Sequence, residues 1–462
     1  MYLIDVPPPT ISGKLHMGHC FAYTHMDFIA RYHKLKQKIL YPFCFDNNGL
    51  PTEKLGLKAG CRFPQDIKMH SVVVATDYKE LFDKLYIDFQ EREYQTYSES
   101  AIKLCNMSFE DLKRKGLCYK AETEYLFCPE TLVSISQSEL DENGCFERSG
   151  VKAIVKKGEG WFIKIKNNIE PIKEMINDIT WRPEMFKQRL LSWLDSIEYD
   201  WSISRERKYG IPIPDEPGMT FDTWFISSLT PQLAWACLMG EETLKCPVFD
   251  IRFQGHDIIR TWALYTIVKS LYHNQQIPWK TIIINGHVLG DENKKLSKSK
   301  NVREKMAETC VEYIHHRYDL PTRTPHDYLN KYGSAGVRYW AAHNQMGTDT
   351  RVDEAVMERG KRLQTKIRNA GRFLRERENA GTNNDFYKIW LAVEEQFHTL
   401  MKEDNFPEGL HLLETFFWDT YCDQWIESSK KNPCNITLRA IYEEILPLFE
   451  IYLPEIETNQ TK

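Results

Sequence analysis

Two histidines lie close to the start of the chain, in the run His16-Met17-Gly18-His19. A β-type segment at residues 2–6 precedes them, and the pair Ser12-Gly13 between the two is typical of a turn. From Leu15 onward the apolar spacing predicts a helix. A strand, a turn and a helix in succession present backbone N–H groups and the positive end of a helix dipole to an anion. This helix start therefore predicts phosphate binding, with the histidines as added donors and the glycine leaving room for a flat ring.

A second candidate segment lies far along the chain, at Lys295-Leu296-Ser297-Lys298-Ser299-Lys300. It follows the apolar run Thr281-Ile282-Ile283-Ile284, which predicts a buried strand. Each segment alone has an ordinary explanation, because lysines and serines are common in solvated loops and histidines are common at exposed helix starts. Together they favour another interpretation, in which a mobile lysine loop closes over phosphate groups held at the helix start.

These two segments resemble the H-x-G-H and K-M-S-K-S motifs of the class I aminoacyl-tRNA synthetases. Further segments resemble the valine, isoleucine and leucine subgroup of that family, and they occupy residues 45–53, 201–212, 222–228 and 254–262. The last two segments, with Pro7-Pro8-Pro9, are most similar to the valine enzymes. The resemblance implies an α/β fold with a Rossmann-like nucleotide-binding parallel sheet, a short inserted β-rich stalk and a C-terminal α-helical bundle.

The resemblance and the local patterns divide the chain into four predicted segments. Residues 1–125 form the first half of a Rossmann-like catalytic domain, in which 64–116 reads as mainly helical. Residues 126–200 are a shortened connective insertion, 201–326 the second catalytic half with the lysine loop, and 327–462 a truncated helical bundle similar to those that bind the tRNA anticodon. Strand candidates at 249–253 and 281–284, joined by a helix, predict a βαβ unit in a parallel sheet.

Composition limits the class of protein. The chain has 462 residues, 42% of them hydrophobic, which is enough for two or three domains with proper cores. Its net charge of -5 does not indicate nucleic-acid binding, so a tRNA partner would have to be bound by local basic faces. The 12 cysteines contain no C-x-x-C pair, which predicts no metal site. Without a signal peptide or a long apolar run, we expect a cytoplasmic protein that does not enter the membrane and, as in the subgroup, is a monomer.

The reaction that the resemblance implies joins an amino acid to ATP, giving an aminoacyl-adenylate and pyrophosphate, and then transfers the aminoacyl group to tRNA. The attack on the α-phosphate needs no protein nucleophile, only positioning and positive charge where negative charge develops. The family motifs assign this catalytic work to His16, His19, Lys295 and Lys298. We expect Mg²⁺ to arrive with ATP as its cofactor and not to occupy a cage of protein ligands.

The same resemblance assigns two groups of binding residues. ATP is expected to contact Gly18, Gly255, Asp257, His287, Val288 and Leu289. A lone aspartate after a strand is usually a helix N-cap, so the role of Asp257 depends on the family match. For the amino acid, Asp46 at the end of a strand is the predicted partner of the α-ammonium group. Trp224, Trp262, Pro8 and Pro9 are the predicted pocket walls, although each tryptophan alone would suggest core packing. A short branched side chain fits such walls, with valine preferred and isoleucine second.

A run of basic residues predicts the contact with tRNA. Arg362, Lys366, Arg368 and Arg372 lie on a predicted helix of the C-terminal segment, where the family binds tRNA, and tRNA-Val is the expected partner. A run of this kind is equally typical of a solvated helix face.

The connective insertion is where the subgroup carries a large editing domain. Here Ser149-Gly150-Val151 is soon followed by the strand candidate at Trp161, so we expect the editing site to be missing. An apolar pocket rejects threonine in place of valine only about a hundredfold, and such an enzyme could not correct the error. Three hypotheses remain open: a valine–tRNA ligase without editing, an aminoacyl-adenylate-forming paralogue that serves another pathway, and a catalytically idle homologue that binds RNA or protein.

Overall fold

A central parallel sheet organises the amino-terminal two thirds of the computed structural model. The structure describes residues 1–130, 133–135, 143–145, 150–290, 324–454 and 456. The five strands of the sheet, in spatial order, are β2 (Ile39–Leu40), β1 (Tyr2–Asp5), β12 (Phe249–Gly255), β13 (Trp279–Asn285) and β8 (Thr180–Arg182). Every neighbouring pair runs parallel. The prediction of an α/β fold with a parallel sheet is confirmed.

The strand β13 is largely apolar, as expected for a parallel strand that is buried on both faces. The residues Ile282, Ile283 and Ile284 of β13 are all fully buried. The helices of this part of the chain are α1 (Met17–Lys34), α2 (Leu50–Lys58), α3 (Pro64–Lys84), α4 (Glu99–Arg114), α5 (Ile169–Asp178), α6 (Met185–Leu194), α7 (Thr223–Ser227), α8 (Thr230–Met239) and α9 (Leu264–Asn274). A π-helical turn, Ile259–Ala263, leads directly into α9.

A parallel pair of strands, β3 (Pro42–Phe45) and β4 (Gln90–Gln95), lies beside the central sheet. The strand β4 interrupts the stretch 64–116, which the sequence predicts to be mainly helical. Its residues are mostly polar and carry no apolar alternation, so pairing with the buried β3, and not a local pattern, accounts for their extended conformation. An isolated parallel bridge between Thr10 and Asp46 joins the segment that follows β1 to the end of β3.

The expected β-rich insertion is a small antiparallel sheet with the order β6 (Val133–Ile135), β5 (Cys118–Cys128), β7 (Ile154–Ile163) and β9 (Trp201–Ser202). The long strands β5 and β7 pair from Cys118 with Ile163 to Phe127 with Ile154. Two more short strands, β10 (Ser204–Glu206) and β11 (Met219–Phe221), form an antiparallel pair that leads into α7.

The carboxyl-terminal part of the described chain is almost entirely helical. Its helices are α10 (Pro325–Ala342), α11 (Glu354–Arg375), α12 (Asn384–Lys402), α13 (Phe406–Thr415) and α14 (Asn435–Tyr452), with a π-helical stretch at Phe416–Ile426. The helical prediction for this part is confirmed. A short parallel pair, β14 (Val288–Leu289) with β15 (Thr350–Arg351), joins the end of the central sheet region to the start of the bundle.

Candidate active site

The histidine motif forms the start of α1. The Nδ1 atom of His16, the N-cap residue, accepts the backbone N–H of Gly18 at 3.1 Å, and Nδ1 of His19 accepts the N–H of His16 at 3.2 Å. The two rings lie 4.0 Å apart between centroids. Because each Nδ1 is an acceptor, the proton of each neutral ring lies on Nε2, which makes Nε2 the donor that these imidazoles offer. A side chain at Gly18 would come within 3.0 Å of the His16 ring, so only glycine leaves that ring in place.

The predicted pocket residues Pro9 and Asp46 are joined through backbone hydrogen bonds. The N–H of Asp46 donates to the carbonyl of Pro9 at 3.1 Å, and the N–H of Ile11 donates to the carbonyl of Asp46 at 2.8 Å. Pro8, Pro9 and Asp46 are all buried. This ladder fixes the proline segment directly beside the carboxylate at the C-terminal end of β3.

The carboxylate of Asp46 is oriented by its neighbours. Its Oδ1 accepts the hydroxyl of Thr96 at 2.5 Å and the backbone N–H of Asn48 at 3.3 Å. The next side chain, Asn47, spans to Gln95 and to Ser71, and its own N–H donates to Thr96. A sequence-based search missed Thr96, because a single threonine after a polar strand carries no motif.

The loop after Asp46 contacts the helix that carries Trp224. Gly49 has a φ of +83°, and a Cβ atom built there would lie 1.9 Å from Oγ1 of Thr223, the first residue of α7. The side chain of Asp222 caps this helix by accepting the N–H of Trp224 at 2.8 Å. The backbone of Gly49 therefore packs directly against α7, so the position of the Asp46 loop is linked to the position of the helix that carries Trp224.

The two predicted tryptophan walls meet. The rings of Trp224 and Trp262 lie 5.7 Å apart between centroids at an interplanar angle of 69°, an edge-to-face arrangement. Trp262 is buried, and its indole N–H donates to the carbonyl of Ser227 in α7 at 2.5 Å. Trp224 keeps part of its surface exposed. The structure thus brings the two rings together on α7 and the π-helical turn.

A buried ion pair lies behind Trp262. The guanidinium of Arg252, on β12, contacts the carboxylate of Asp5, on β1, at 2.7 Å, and both side chains are fully buried. The Arg252 guanidinium also faces the Trp262 ring at 5.4 Å and donates to Gln254 at 3.0 Å. Burial raises the pKa of Asp5, against the opposing effect of Arg252 and of a hydrogen bond from Trp279. The sequence alone could not reveal this ion pair, because Asp5 and Arg252 lie on strands that are far apart in the chain.

The predicted ribose contact lies at the C-terminal end of β12. Gly255 is the last residue of that strand and pairs with Asn285 of β13. A Cβ atom at Gly255 would lie 2.6 Å from Oδ1 of Asp257, so the carboxylate folds back over bare backbone. Asp257 itself is exposed. These positions fit the rule that parallel sheets bind ligands outside the carboxyl ends of their strands.

The predicted adenine-binding segment 287–289 begins with His287, whose ring lies beside the ring of His256. The backbone N–H of His287 donates to Oδ1 of Asp349 at 2.8 Å, and its carbonyl accepts the N–H of Thr350. The rings of His287 and His256 lie 4.0 Å apart, and Nε2 of His256 is 3.9 Å from the same Asp349 oxygen. Val288 is buried and Leu289 half-buried. His256 stands between Gly255 and Asp257 in a matched motif, so the sequence did contain a signal for it.

Helix α1 contacts both β12 and β14, which places the histidine motif, Gly255 and the 287–289 segment on neighbouring elements. The lysine-loop residues Lys295 and Lys298 lie outside the described residues.

The predicted tRNA-binding residues all lie on α11, but their surroundings differ. Arg362 and Arg372 are exposed, whereas Arg368 and Lys366 are partly buried. Lys366 forms an ion pair with Asp423 at 3.4 Å.

Two features are absent from the described part of the chain, a metal-binding cluster and a membrane-spanning helix. Among those residues, no group of three or more histidine, cysteine, aspartate or glutamate side chains is arranged to hold a metal ion. None of the helices described there combines the length and the apolar character needed to cross a bilayer.

Comparison with known proteins shows the family of the chain. A model of the family "tRNA synthetases class I (I, L, M and V)" matches residues 1–215 and 218–353. The chain belongs to this family of class I aminoacyl-tRNA synthetases. Among curated relatives, it is 24% identical to the valine–tRNA ligase of Rickettsia akari, over 98% of this chain and 83% of the relative. It is 25% identical to the valine–tRNA ligase of Anaplasma marginale, over 98% of this chain and 81% of the relative.

Solved structures show the same fold at lower identity. The methionyl-tRNA synthetase of Mycobacterium tuberculosis, bound by methionyl-adenylate, superposes with a TM-score of 0.74 at 16% identity, over 98% of this chain and 92% of that one. The LeuRS-tRNA-LeuAMS ternary complex of Agrobacterium radiobacter K84 gives 0.75 at 13% identity, over 98% and 84% of the two chains. These likenesses agree with the Rossmann-like assignment of the sheet.

Proposed function

We propose that this synthetase activates valine with ATP, forming valyl-adenylate, and transfers the valyl group to tRNA-Val. The observation that carries the proposal is that the close approach of Gly49 to Thr223 joins the Asp46 loop to α7, where Trp224 meets Trp262. The backbone ladder from Pro9 to Asp46 supplies one wall, and the edge-to-face rings of Trp224 and Trp262 supply another. Walls of this kind favour a short branched aliphatic side chain, and both reported curated relatives are valine–tRNA ligases.

Each predicted catalytic or amino-acid-binding group has a chemical role in the proposed reaction. The Asp46 carboxylate receives the α-ammonium group of the amino acid through charge-assisted hydrogen bonds. The Nε2–H donors of His16 and His19 face the phosphoryl oxygens as negative charge develops on them. Lys295 and Lys298 supply positive charge to the departing pyrophosphate, which arrives as part of Mg²⁺-bound ATP.

The adenosine half of ATP is assigned to the carboxyl ends of the strands. The Asp257 carboxylate accepts from the ribose hydroxyls, and Gly255 leaves its backbone open to the sugar. The segment His287, Val288 and Leu289, with Gly18 opposite, flanks the adenine ring. His256 extends this stack through its contact with the His287 ring.

We also propose that the enzyme lacks a post-transfer editing site. The antiparallel ladder of β5 and β7 leaves only residues 129–153 to connect the two strands, whereas independent domains start at about 50 residues. The alignment with the Rickettsia akari enzyme spans 691 positions, although this chain has 462 residues in all. The relative therefore contains long segments that have no counterpart here, which supports the loss of an inserted domain.

The transfer step requires a tRNA surface, and the exposed arginines of α11 support one there. Arg362 and Arg372 lie on the solvent-facing side of that helix, separated by nearly three turns. We propose that residues 327–462 form the tRNA-binding bundle, 1–125 and 201–326 the two catalytic halves, and 126–200 the reduced insertion, in a monomeric cytoplasmic enzyme.

The test is pyrophosphate exchange into ATP with purified full-length protein, run separately with valine, isoleucine, leucine, methionine and threonine. We expect valine to give the highest kcat/KM and threonine about a hundredfold less. The variant Asp46→Asn should lower kcat/KM for valine about 10–100-fold, because it removes a charged hydrogen-bond partner. The exposed Asp77→Asn on α3 is the matched control and should retain wild-type exchange.

Charging of tRNA separates the remaining possibilities. We expect valylation of tRNA-Val, and threonylated tRNA-Val that persists in the presence of the enzyme. Rapid hydrolysis of that threonyl ester would contradict the loss of editing. Exchange without any tRNA charging would favour the adenylate-forming paralogue, and no exchange with any amino acid would favour the idle homologue.

A further inference from the structure

A buried lysine lies behind the tryptophan pocket. The side chain of Lys269, on α9, is fully buried, and its Nζ donates to the carbonyl of Phe225 in α7 at 2.6 Å. The same Nζ lies 3.2 Å from the centroid of the Phe225 ring. Among the described residues, no carboxylate forms an ion pair with Lys269, and the titratable groups that interact with it electrostatically include the thiols of Cys105 and Cys118 and the imidazole of His273.

A lysine in such surroundings is costly to the fold. Burial lowers the pKa of Lys269 to about 7, because an apolar environment penalises the charged amine. An apolar side chain of similar length would fill the same space without that cost. Within the part of the chain that the structure describes, the one hydrogen bond of the lysine side chain goes to α7, so the reason for its presence is to be sought in that helix.

Helix α7 needs support from outside because it has only five residues, too few for a helix to be stable alone. Its last carbonyls have no partner further along a helix. The carbonyl of Phe225 accepts from Lys269 and from the hydroxyl of Ser228, and the carbonyl of Ser227 accepts from the indole of Trp262. Lys269 and Trp262 are seven residues apart in one continuous helical segment, a spacing that returns to the same face. Both therefore hold α7, which carries Trp224, from one side.

We propose that Lys269 is a positioning residue for the amino-acid pocket: its side-chain nitrogen holds α7 and thereby fixes the Trp224 ring against Trp262. An amine suits this task because it donates through N–H in either protonation state, and the carboxyl end of a helix presents unpaired carbonyls that accept such donors. The proposal rests on the proposed function in that it takes the Trp224–Trp262 pair to be the wall of the amino-acid pocket.

The experiment compares Lys269→Met with the wild type and with Ser270→Ala. Ser270 is the matched control, because it is buried on the same helix and its hydroxyl donates to the carbonyl of Gln276, away from α7. In Lys269→Met we expect thermal stability at or above that of the wild type, since a desolvated amine is removed. We expect KM for the amino acid in pyrophosphate exchange to rise about tenfold with KM for ATP unchanged. Ser270→Ala should leave both KM values unchanged.

Hydrogen exchange of the backbone amides in residues 223–228 supplies a readout that does not depend on activity. We expect these amides to exchange about tenfold faster in Lys269→Met and at the wild-type rate in Ser270→Ala. The proposal is overturned if the amides exchange at the wild-type rate in Lys269→Met, or if KM for the amino acid and KM for ATP rise together. If the wild type supports no exchange with any amino acid, the proposed function fails, and the amide exchange alone decides whether Lys269 holds α7.

Discussion

Replacing Gly49 by alanine tests the contact that joins the Asp46 loop to α7. The backbone at Gly49 has φ +83° and ψ −165°, a region that side chains strongly disfavour, at a cost of about 1–3 kcal/mol. The new Cβ would also lie 1.9 Å from Oγ1 of Thr223, and overpacking of this kind costs about 1–3 kcal/mol more. Gly49→Ala should therefore destabilise the protein by about 2–6 kcal/mol in equilibrium urea unfolding followed by circular dichroism.

A second substitution separates the two contributions. Thr223→Ala removes the overlapping oxygen but leaves the backbone strain, so the double variant should recover about 1–3 kcal/mol relative to Gly49→Ala. Gly60→Ala is the matched control, because Gly60 has a φ of +87° and nothing within 4 Å of the added Cβ. Its cost should be backbone strain alone, and Thr223→Ala should not change that cost.

The same cycle predicts a change in function, because the overlap pushes α7 away from Asp46. KM for the amino acid should rise in Gly49→Ala, fall again in the double variant, and stay at the wild-type value in Gly60→Ala. The reasoning is refuted if the effects of Gly49→Ala and Thr223→Ala add to within about 0.5 kcal/mol, since residues in direct contact should not behave independently.

Three further predictions concern the groups around the pocket. Arg252→Met should cost about 3–5 kcal/mol in urea unfolding because it leaves the Asp5 carboxylate buried without its partner, and adding Asp5→Asn should restore most of the loss. Thr96→Val should raise KM for the amino acid about tenfold with KM for ATP unchanged, since Asp46 loses a hydroxyl donor, and Thr96→Ser should restore it. Lys269 has a pKa of about 7 in the folded protein, below its unfolded value, so the unfolded state binds more protons above pH 7. The unfolding free energy should therefore rise by about 2–3 kcal/mol from pH 7 to pH 9 in the wild type relative to Lys269→Met, and an equal pH dependence in both proteins would contradict the pKa.

The sequence predicts the elements best where local pattern and buried environment agree. The strand β1, the start of α1 and the strands β12 and β13 follow from apolar runs and turn residues, and the structure has them. The strand β4 could not be predicted, because its polar residues are extended only through pairing with β3, which is distant in sequence. The family motifs drew attention to the pocket residues, but composition and periodicity alone would assign Trp224 and Trp262 to ordinary core packing.

The groups that the sequence did not reveal share one property. The structural role of each depends on a contact with a residue of another strand or helix. Arg252 on one strand reads as a surface charge until Asp5 is found beside it on the next strand. Lys269 reads as the polar side of an amphipathic helix until its Nζ is found on the carbonyl of Phe225. Arg252 faces the Trp262 ring, and Lys269 contacts α7, the helix that carries Trp224. A pocket for a small apolar side chain can bind only through the positions of its walls, because it offers few hydrogen bonds to the guest. Buried polar groups that fix those positions therefore complement an apolar site. Because such groups lower the stability of the fold, a positioning role beside the pocket explains their presence.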